Sequence, residues 1–266
     1  MTTTPWGEGS VQDLAAVSLE EVLATAALQD RVDRKYLLDR GTAEAMLGAL
    51  RADHRVLSIG GRRSQSYSTV YLDGPDLPCH RAHVQGRRRR WKARTRRYVD
   101  GDLTRLELKT KGRRGRTIKV ATEVSPDAHG RVDHRTTAFL DAELRMAYGT
   151  GLRFALVPVL EIVNRRTTLV SDDGATRLTL DTDLEVLRID GSAVGRLRPS
   201  SVLVETKSGL RPGVADEALR RLGVREASCS KYCLGTALAE PALPAAPFRA
   251  LLRGWFEPMD SSDLAA

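Results

Sequence analysis

The chain has 266 residues, of which 41% are hydrophobic and 29% are charged, and its formal net charge is +8 at pH 7. This content is sufficient for a full buried core, and no apolar run approaches the roughly 18 residues that a membrane-spanning helix needs. The N-terminus lacks a signal-peptide pattern, and three cysteines are too few for a disulfide framework. We therefore expect a soluble, cytoplasmic protein without a membrane span.

The N-terminal part of the sequence alternates predicted helices and strands. Residues 18–21, Ser-Leu-Glu-Glu, form a capping box that should open a helix reaching about residue 27. Thr42 is predicted to cap a second helix that ends near residue 53. Strands are predicted over residues 30–39 and 65–73, the second because it is rich in β-branched and aromatic side chains.

The most basic stretch of the chain runs from Arg87 to Lys119 and contains fifteen Lys or Arg but only three acids. Read as strands, residues 90–98 place Arg94 and Arg96 on one side and alternate them with small or apolar side chains. Asp100-Gly101 is a strong hairpin turn signal, and two further runs, 105–111 and 117–120, repeat the alternation. Three adjacent antiparallel strands should result, each with a charged and an apolar face.

The rest of the chain continues this pattern. A helix is predicted over residues 133–148, another around Leu219, and an anchoring turn or helix in the tail near Trp255. We interpret Cys79-His80 with His83 as a surface turn, because no second ligand pair with zinc-like spacing follows. Three further strands are predicted at 156–170, 176–182 and 201–207.

No internal repeat or clear linker is visible, which favours one domain. We divide the sequence into a flexible N-terminus at 1–17, the main domain at 18–238 and a tail rich in Pro and Ala at 239–266. Eight strands can close into a barrel whose interior accommodates one elongated ligand. The predicted fold class is therefore α+β, mainly β: an eight-stranded antiparallel tunnel barrel with a charged interior, flanked by helices.

The repulsion between cations inside such a barrel must be offset by negative charge. Two cations about 6 Å apart repel by roughly 3 kcal/mol at an effective dielectric constant of about 20. Fewer carboxylates than cations should face inward. The carboxylates are Asp33, Glu107, Asp181 and Glu205. The cations are Arg31, Lys35, Arg94, Arg96, Lys109, Lys119, Arg166, Arg177 and Lys207. Arg and Lys groups that converge on one volume suit phosphate oxygens, and the few carboxylates suit Mg²⁺ or Mn²⁺. A bound polyanion is therefore expected.

Eight segments, taken in order, resemble the VTC domain. They are RVDRKYLL, YSTVYLD, ARTRRY, LELKTKGRRGRTIK, the Arg166 strand, RLTLDTDL, VETKSG and SKY. This is the polyphosphate polymerase module of the triphosphate tunnel metalloenzyme, or CYTH-like, superfamily. The resemblance implies an eight-stranded tunnel in which a divalent metal helps to transfer the terminal phosphoryl group of ATP to polyphosphate. Related proteins hydrolyse triphosphates.

The resemblance also implies roles for individual residues. Arg94, Arg96 and Arg166 would hold the transferring phosphoryl group, and Glu205 would bind the metal, with Glu107 and Asp33 as further candidates. The remaining phosphate ligands would be Lys35, Lys109, Lys119, Ser230 and Lys231, with Arg31, Arg177 and Lys207 beside them. Three positions depart from the family pattern: Asn164 replaces a usual Tyr, Asp33 a common Glu, and Ser228 a frequent Lys.

Three functions stay open on the residues alone. They are polyphosphate synthesis, triphosphate hydrolysis, and binding of polyphosphate or nucleic acid without catalysis. Nucleic acid is not the first choice, because Trp91 falls on the face opposite Arg94 and Arg96. A P-loop kinase is excluded by the lack of a GxxxxGK[ST] motif, and a zinc hydrolase by the lack of paired His ligands.

Overall fold

The computed structural model describes residues 8–24, 32–112, 117–243 and 246–259. The chain forms two compact units, each assembled from separate segments. Unit 1 contains Met1–Gln65, Arg165–Asp183 and Leu197–Ser228, and unit 2 contains Ser66–Asn164, Leu184–Arg196 and Cys229–Ala266. Four of the five passages between units fall inside strands, at residues 65 to 66, 164 to 165, 183 to 184 and 196 to 197, so the sequence shows no linker there.

The described residues form eight helices and twelve strands. The helices are α1 (Glu8–Gln12), α2 (Leu19–Ala24), α3 (Arg40–Leu50), α4 (Pro78–Val84), α5 (His134–Tyr148), α6 (Val214–Arg221), α7 (Lys231–Ala239) and α8 (Arg249–Trp255). The strands are β1 (Ala16–Val17), β2 (Val32–Asp39), β3 (His54–Leu57), β4 (Gln65–Asp73), β5 (Trp91–Tyr98), β6 (Thr104–Lys111), β7 (Thr117–Val124), β8 (Val157–Ser171), β9 (Arg177–Leu187), β10 (Ala193–Leu197), β11 (Ser201–Ser208) and β12 (Phe256–Pro258).

Strand pairing is mainly antiparallel, with β1 and β3 paired in parallel. The hydrogen-bonded order is β12-β10-β9-β8-β4-β5-β6-β7, while β11 pairs with β2 and β9, and β3 pairs with β1 and β8. Within the described ranges, this order has two end strands, β7 and β12. The predicted class, an α+β fold that is mainly antiparallel sheet with flanking helices, is confirmed.

The strand count is twelve instead of the predicted eight. The four additional strands, β1, β3, β10 and β12, are only two to five residues long. Alternation of polar and apolar side chains needs at least about four residues to become visible, so β1 and β12 are too short to show it, and β3 and β10 barely reach this length.

In unit 1 the apolar face of the sheet lies under helices. Tyr36 and Leu38 of β2 and Leu180 of β9 form one buried cluster with Met46 of α3 and Leu219 of α6. Because successive strand residues point to opposite faces, Lys35 and Glu205 lie on the face away from this core.

Unit 2 repeats the arrangement with another set of strands. Leu72, Leu106 and Leu108 pack with Leu140 and Leu144 of α5 in a second buried cluster. The predicted hairpin is confirmed, since β5 and β6 pair in register with Arg94 opposite Glu107. In both units the apolar side chains lie under helices, and the charged side chains occupy the other face.

The helix ends correct one sequence prediction. The predicted capping box is confirmed, because Ser18 and Glu21 exchange backbone-to-side-chain hydrogen bonds of 2.9 and 3.1 Å. Thr42, however, is not the cap of α3. Asp39 is the N-cap, and its carboxylate accepts a 2.9 Å hydrogen bond from the Thr42 amide. The prediction was wrong because Asp39 was assigned only to the preceding strand, although an Asp at a strand end also suits an N-cap.

The predicted surface turn at Cys79-His80 was also wrong. These residues lie in α4, and both are buried. Burial raises the pKa of the Cys79 thiol, so this sulfur stays protonated and is a poor metal ligand. Among the described residues, no three His, Cys, Asp or Glu side chains are grouped as a metal site.

None of the helices in the described ranges combines the length and apolar character that a membrane span requires. Parts of two predicted elements lie outside the described residues. These are the end of the first helix, beyond residue 24, and the first two residues of the strand predicted at 30–39.

The assignment of the α3 cap leads to a test. Replacing Asp39 by Ala should lower the free energy of unfolding by about 1 kcal/mol, because the Thr42 amide loses its acceptor. Thr42→Ala keeps this backbone donor and should cost clearly less. Urea unfolding of both variants measures the two effects, and a larger loss for Thr42→Ala would contradict Asp39 as the cap.

Candidate functional site

The charged face of unit 2 is organised around one carboxylate. Glu107 lies on β6 between Arg94 on β5 and the neighbouring strand β7, and its side chain is only 1% exposed. Arg94 donates a 2.6 Å hydrogen bond from Nε to Glu107 Oε2, and its Nη2 forms an ion pair with the same oxygen at 2.5 Å. Arg96 Nη1 lies 3.9 Å from the same oxygen, and Lys119 pairs with Oε1. We call these four residues the Glu107 cluster.

Charge balance fixes the protonation state of this cluster. Burial alone would raise the pKa of Glu107, but the charges of Arg94, Arg96 and Lys119 hold it below its usual range. Burial lowers the pKa of the Lys119 ammonium to about 8, although Glu107 opposes the change. Near pH 7 a single negative charge therefore faces three cations.

A row of lysines crosses the same face. Lys92 of β5 is opposite Lys109 of β6, and Lys109 is opposite Lys119 of β7. Directly opposed like charges destabilise a sheet, so this register is unfavourable without nearby anions. Lys92 was not among the predicted site residues, although it alternates in phase with Arg94.

The N-terminus of α7 borders this row. Ser230 is the N-cap of α7 and accepts a 3.1 Å hydrogen bond from Lys92 Nζ. Lys231, the first residue of α7, donates to Asn164 Oδ1 at 3.1 Å. The backbone N–H groups at a helix N-terminus and these ammonium groups are all suited to an anion.

A buried carboxylate fixes α7 in this position. Asp73, at the end of β4, accepts hydrogen bonds from the backbone N–H groups of Cys79 and His80, both at 3.0 Å. It also accepts a 2.5 Å hydrogen bond from the hydroxyl of Tyr232 on α7. Tyr232 therefore connects the helix that carries Ser230 and Lys231 to β4.

The charged face of unit 1 is more evenly balanced. Lys35 of β2 is directly opposite Glu205 of β11, and Asp33 is opposite Lys207. Lys207 also pairs with Glu205 along its own strand. Burial would raise the pKa of Glu205, but Lys207, Lys35 and Arg166 hold it well below its ordinary value. Glu205 is thus an ionised carboxylate in a largely enclosed position.

Arg166 and Asp181 form a bidentate pair on this face. Arg166 donates from Nε at 2.6 Å and from Nη2 at 2.8 Å to the two carboxylate oxygens of Asp181, whose side chain is 1% exposed. Arg177 is opposite Lys207 in the sheet and donates a long 3.5 Å hydrogen bond to the Val22 carbonyl. Arg31 lies outside the described residues.

These contacts separate the predicted site residues into two groups. Unit 2 brings together Arg94, Arg96, Lys109, Lys119, Ser230 and Lys231, whereas unit 1 brings together Asp33, Lys35, Arg166, Arg177, Glu205 and Lys207. Cations predominate in the first group. In the second, most cations have a carboxylate partner, which makes this face the more suitable for a metal.

Glu205 fits a divalent ion better than Glu107 does. A carboxylate ligand must be ionised, and both carboxylates meet this condition, because the pKa of each is held below its ordinary value. Mg²⁺ commonly uses one or two carboxylates and takes its other ligands from water and substrate phosphates. Both oxygens of Glu107 already contact Arg or Lys side chains. Glu107, which we predicted as a metal ligand, is therefore better suited as a counter-charge.

Comparisons with known proteins were made on the whole chain. The VTC domain family matches residues 30–240. None of the curated proteins gives a match.

Several solved structures resemble the chain at low identity. HpAC1 from Hippeastrum, an adenylyl cyclase candidate with a dominant triphosphatase activity, is 16% identical, with a TM-score of 0.46 and coverage of 81% of this chain and 98% of that one. A Bacillus halodurans adenylate cyclase candidate is 12% identical, with a TM-score of 0.44 and coverage of 76% and 94%. The PH1819 protein of Pyrococcus horikoshii is 14% identical, with a TM-score of 0.42 and coverage of 79% and 99%.

The TM-scores of these three structures are below 0.5, so the assignment to a family rests on the family match alone. That match covers most of the sequence and includes all the described charged residues of both faces. The chain belongs to the VTC domain family.

Proposed function

We propose that the protein is a metal-dependent phosphotransferase that acts on triphosphate or polyphosphate, and that its main reaction is polyphosphate synthesis from ATP. The observation that carries this proposal is the Glu107 cluster, in which one buried carboxylate faces three cations. Such an excess of positive charge around a buried carboxylate is suited to a polyanion. Membership of the VTC domain family supports the same substrate class.

In this proposal the face of unit 2 binds phosphate. Arg94 uses Nε and Nη2 for Glu107 and one hydrogen bond of 3.4 Å for Tyr71, and a guanidinium has five N–H donors in total. Donors of Arg94 therefore remain for phosphate oxygens of the transferring group, and Arg96 would contact the same group. Lys109, Lys119, Ser230 and Lys231 would contact the neighbouring phosphates.

The face of unit 1 is assigned to the metal. Glu205 would hold Mn²⁺ or Mg²⁺, and the metal would supply positive charge that offsets the charge of the substrate phosphates. Asp33 would be a further ligand, and the cations Lys35, Arg166, Arg177 and Lys207 would contact phosphate oxygens. Lys207 orients the Glu205 carboxylate through their ion pair.

Phosphoryl transfer needs little covalent chemistry from a protein, because positioning and charge neutralisation provide most of the acceleration. The chain's contribution would be to align the terminal phosphoryl group of ATP with its acceptor and to neutralise the charge on its oxygens. A phosphate oxygen of polyphosphate is the acceptor in synthesis, and a water molecule is the acceptor in hydrolysis.

Triphosphate hydrolysis is the second candidate function. Asn164 stands where the family usually has Tyr, and its side-chain oxygen accepts a hydrogen bond from Lys231. This substitution changes the surroundings of a proposed phosphate ligand, Lys231, and is the reason for keeping hydrolysis as the second candidate.

One assay distinguishes the candidates. The purified chain is incubated with ATP and Mn²⁺, and polymer is separated from free phosphate. Polyphosphate in the product supports synthesis, whereas free phosphate alone supports hydrolysis. Binding of polyphosphate with no turnover would reduce the proposal to a binding module, and preferential retention of nucleic acid would contradict it.

The metal assignment is tested by Glu205→Gln. This change removes the proposed ligand charge but nearly preserves shape, so metal-dependent turnover should fall at least about a hundredfold while phosphate affinity persists. Turnover is measured with Mn²⁺, and tripolyphosphate binding is measured in EDTA. Glu257→Gln is the control, because Glu257 also forms an ion pair with a cation, Arg196, and is not among the predicted site residues. Undiminished turnover in Glu205→Gln would remove this residue from the metal role.

Lys119 predicts a pH dependence of binding. Its pKa of about 8 means that the ammonium charge is present at pH 7 and is lost as the pH rises toward 9. Affinity for tripolyphosphate should therefore decline by about tenfold over this interval, the size expected for one charged hydrogen bond. Arginine stays charged over this interval, so the affinity of Lys119→Arg should show little of this decline between pH 7 and pH 9. Identical pH profiles by calorimetry would show that Lys119 does not contact the anion.

A further inference from the structure

The charged face of unit 2 carries aromatic rings at one end. Tyr67 of β4 is directly opposite Tyr98 of β5, with ring centroids 5.0 Å apart and planes inclined by 57°. Both residues are half-buried, so part of each ring is accessible. They alternate in phase with Arg94 and Arg96 and therefore lie on the same face as the Glu107 cluster.

Each ring also faces a guanidinium group. The Cζ atom of Arg96 lies 5.6 Å from the centroid of Tyr67, and that of Arg105 lies 6.0 Å from the centroid of Tyr98. Arg96 and Arg105 are opposite one another in the sheet. Two tyrosine rings and two guanidinium planes thus form one group, which we call the Tyr67–Tyr98 platform.

The other tyrosines near this face are covered. Tyr71 and Tyr232 stack on each other with centroids 5.0 Å apart, and both are buried. Among the described residues of unit 2, the platform is therefore where tyrosine rings of the charged face are accessible. The opposite end of the face carries the row Lys92, Lys109 and Lys119.

We propose that the Tyr67–Tyr98 platform is a nucleobase subsite, which takes the base of a nucleoside triphosphate whose phosphates extend toward Arg94 and the lysine row. The inference rests on the proposed function and adds the direction in which the substrate lies. Bases stack on tyrosine rings and on guanidinium planes, and such stacking needs no particular base. Four residues along a strand, from Tyr98 to Arg94, span about 13 Å, a distance that a nucleoside triphosphate can bridge.

The arrangement also predicts the kind of specificity. Because a ring offers its face to any purine, the platform provides affinity for a base without identifying it. ATP and GTP should bind with similar affinity. A cross-strand tyrosine pair that only stabilises the pairing of β4 with β5 would give no preference for any nucleotide over its base-free analogue.

The test compares ATP with ribose 5-triphosphate, which lacks only the base. Calorimetry in EDTA prevents metal-dependent turnover and measures both affinities on the full chain. Wild-type protein should bind ATP about tenfold more tightly, as expected for one stacked base. Tyr98→Leu should abolish this difference by weakening ATP alone, and Tyr98→Phe, which keeps the ring, should retain it. Phe154→Leu is the control, because Phe154 stacks on Trp91 and packs against the apolar core of unit 2.

Three results would overturn the inference. The first is equal affinity of wild-type protein for the two triphosphates, which needs no variant and so does not depend on the folding of Tyr98→Leu. The second is an ATP preference that Tyr98→Leu retains, and the third is an equal loss of both affinities in that variant, which indicates a structural role. In these cases triphosphate binding by the wild-type chain leaves the proposed function standing. Wild-type protein that binds neither compound would overturn both.

Discussion

The contact between Glu107 and its three cations is the interaction on which the charged face of unit 2 depends. A side chain with 1% exposure has lost its hydration, and an isolated carboxylate in that position would be very unfavourable. Arg94, Arg96 and Lys119 keep it ionised, and Glu107 in turn offsets part of their mutual repulsion. The compensation is incomplete, since three positive charges face one negative charge. This remainder is what makes a phosphate polyanion a favourable ligand.

The sheet provides the geometry for this charge pattern. Alternation along β2 and β11 sends Tyr36, Leu38 and Val204 under α3 and α6, and it leaves Lys35 and Glu205 on the other face. The same alternation operates in unit 2. The two faces nevertheless differ in their balance. In unit 1, β2 and β11 place Lys35 opposite Glu205 and Asp33 opposite Lys207, whereas in unit 2, β6 and β7 place Lys109 opposite Lys119. We accordingly propose metal binding for the first face and phosphate binding for the second.

Much of this could be predicted from the sequence because alternation and turn signals are local. Asp100-Gly101 identified the hairpin, and the phase of Arg94, Arg96 and Glu107 identified the face. Contacts between distant residues could not be predicted. Asp73 accepts hydrogen bonds from the backbone N–H groups of Cys79 and His80 and from the hydroxyl of Tyr232. Tyr232 is 159 residues from Asp73 in the sequence, so the residues around Cys79 do not indicate this contact. The Tyr67–Tyr98 platform could not be predicted from the sequence either, because the pairing of these residues depends on the register of β4 against β5. The metal and phosphate roles stay predictions.

The central claim, that the folded chain has an excess of cations arranged for a phosphate polyanion, is tested most directly by thermal unfolding with and without tripolyphosphate. A ligand that binds only the folded state stabilises it by about 2.7 kcal/mol at one hundred times its dissociation constant. We predict that millimolar tripolyphosphate raises Tm by several degrees and that added NaCl reduces the increase, because salt screens the attraction. An unchanged Tm, or an increase that sulfate at equal ionic strength reproduces in full, would contradict the account.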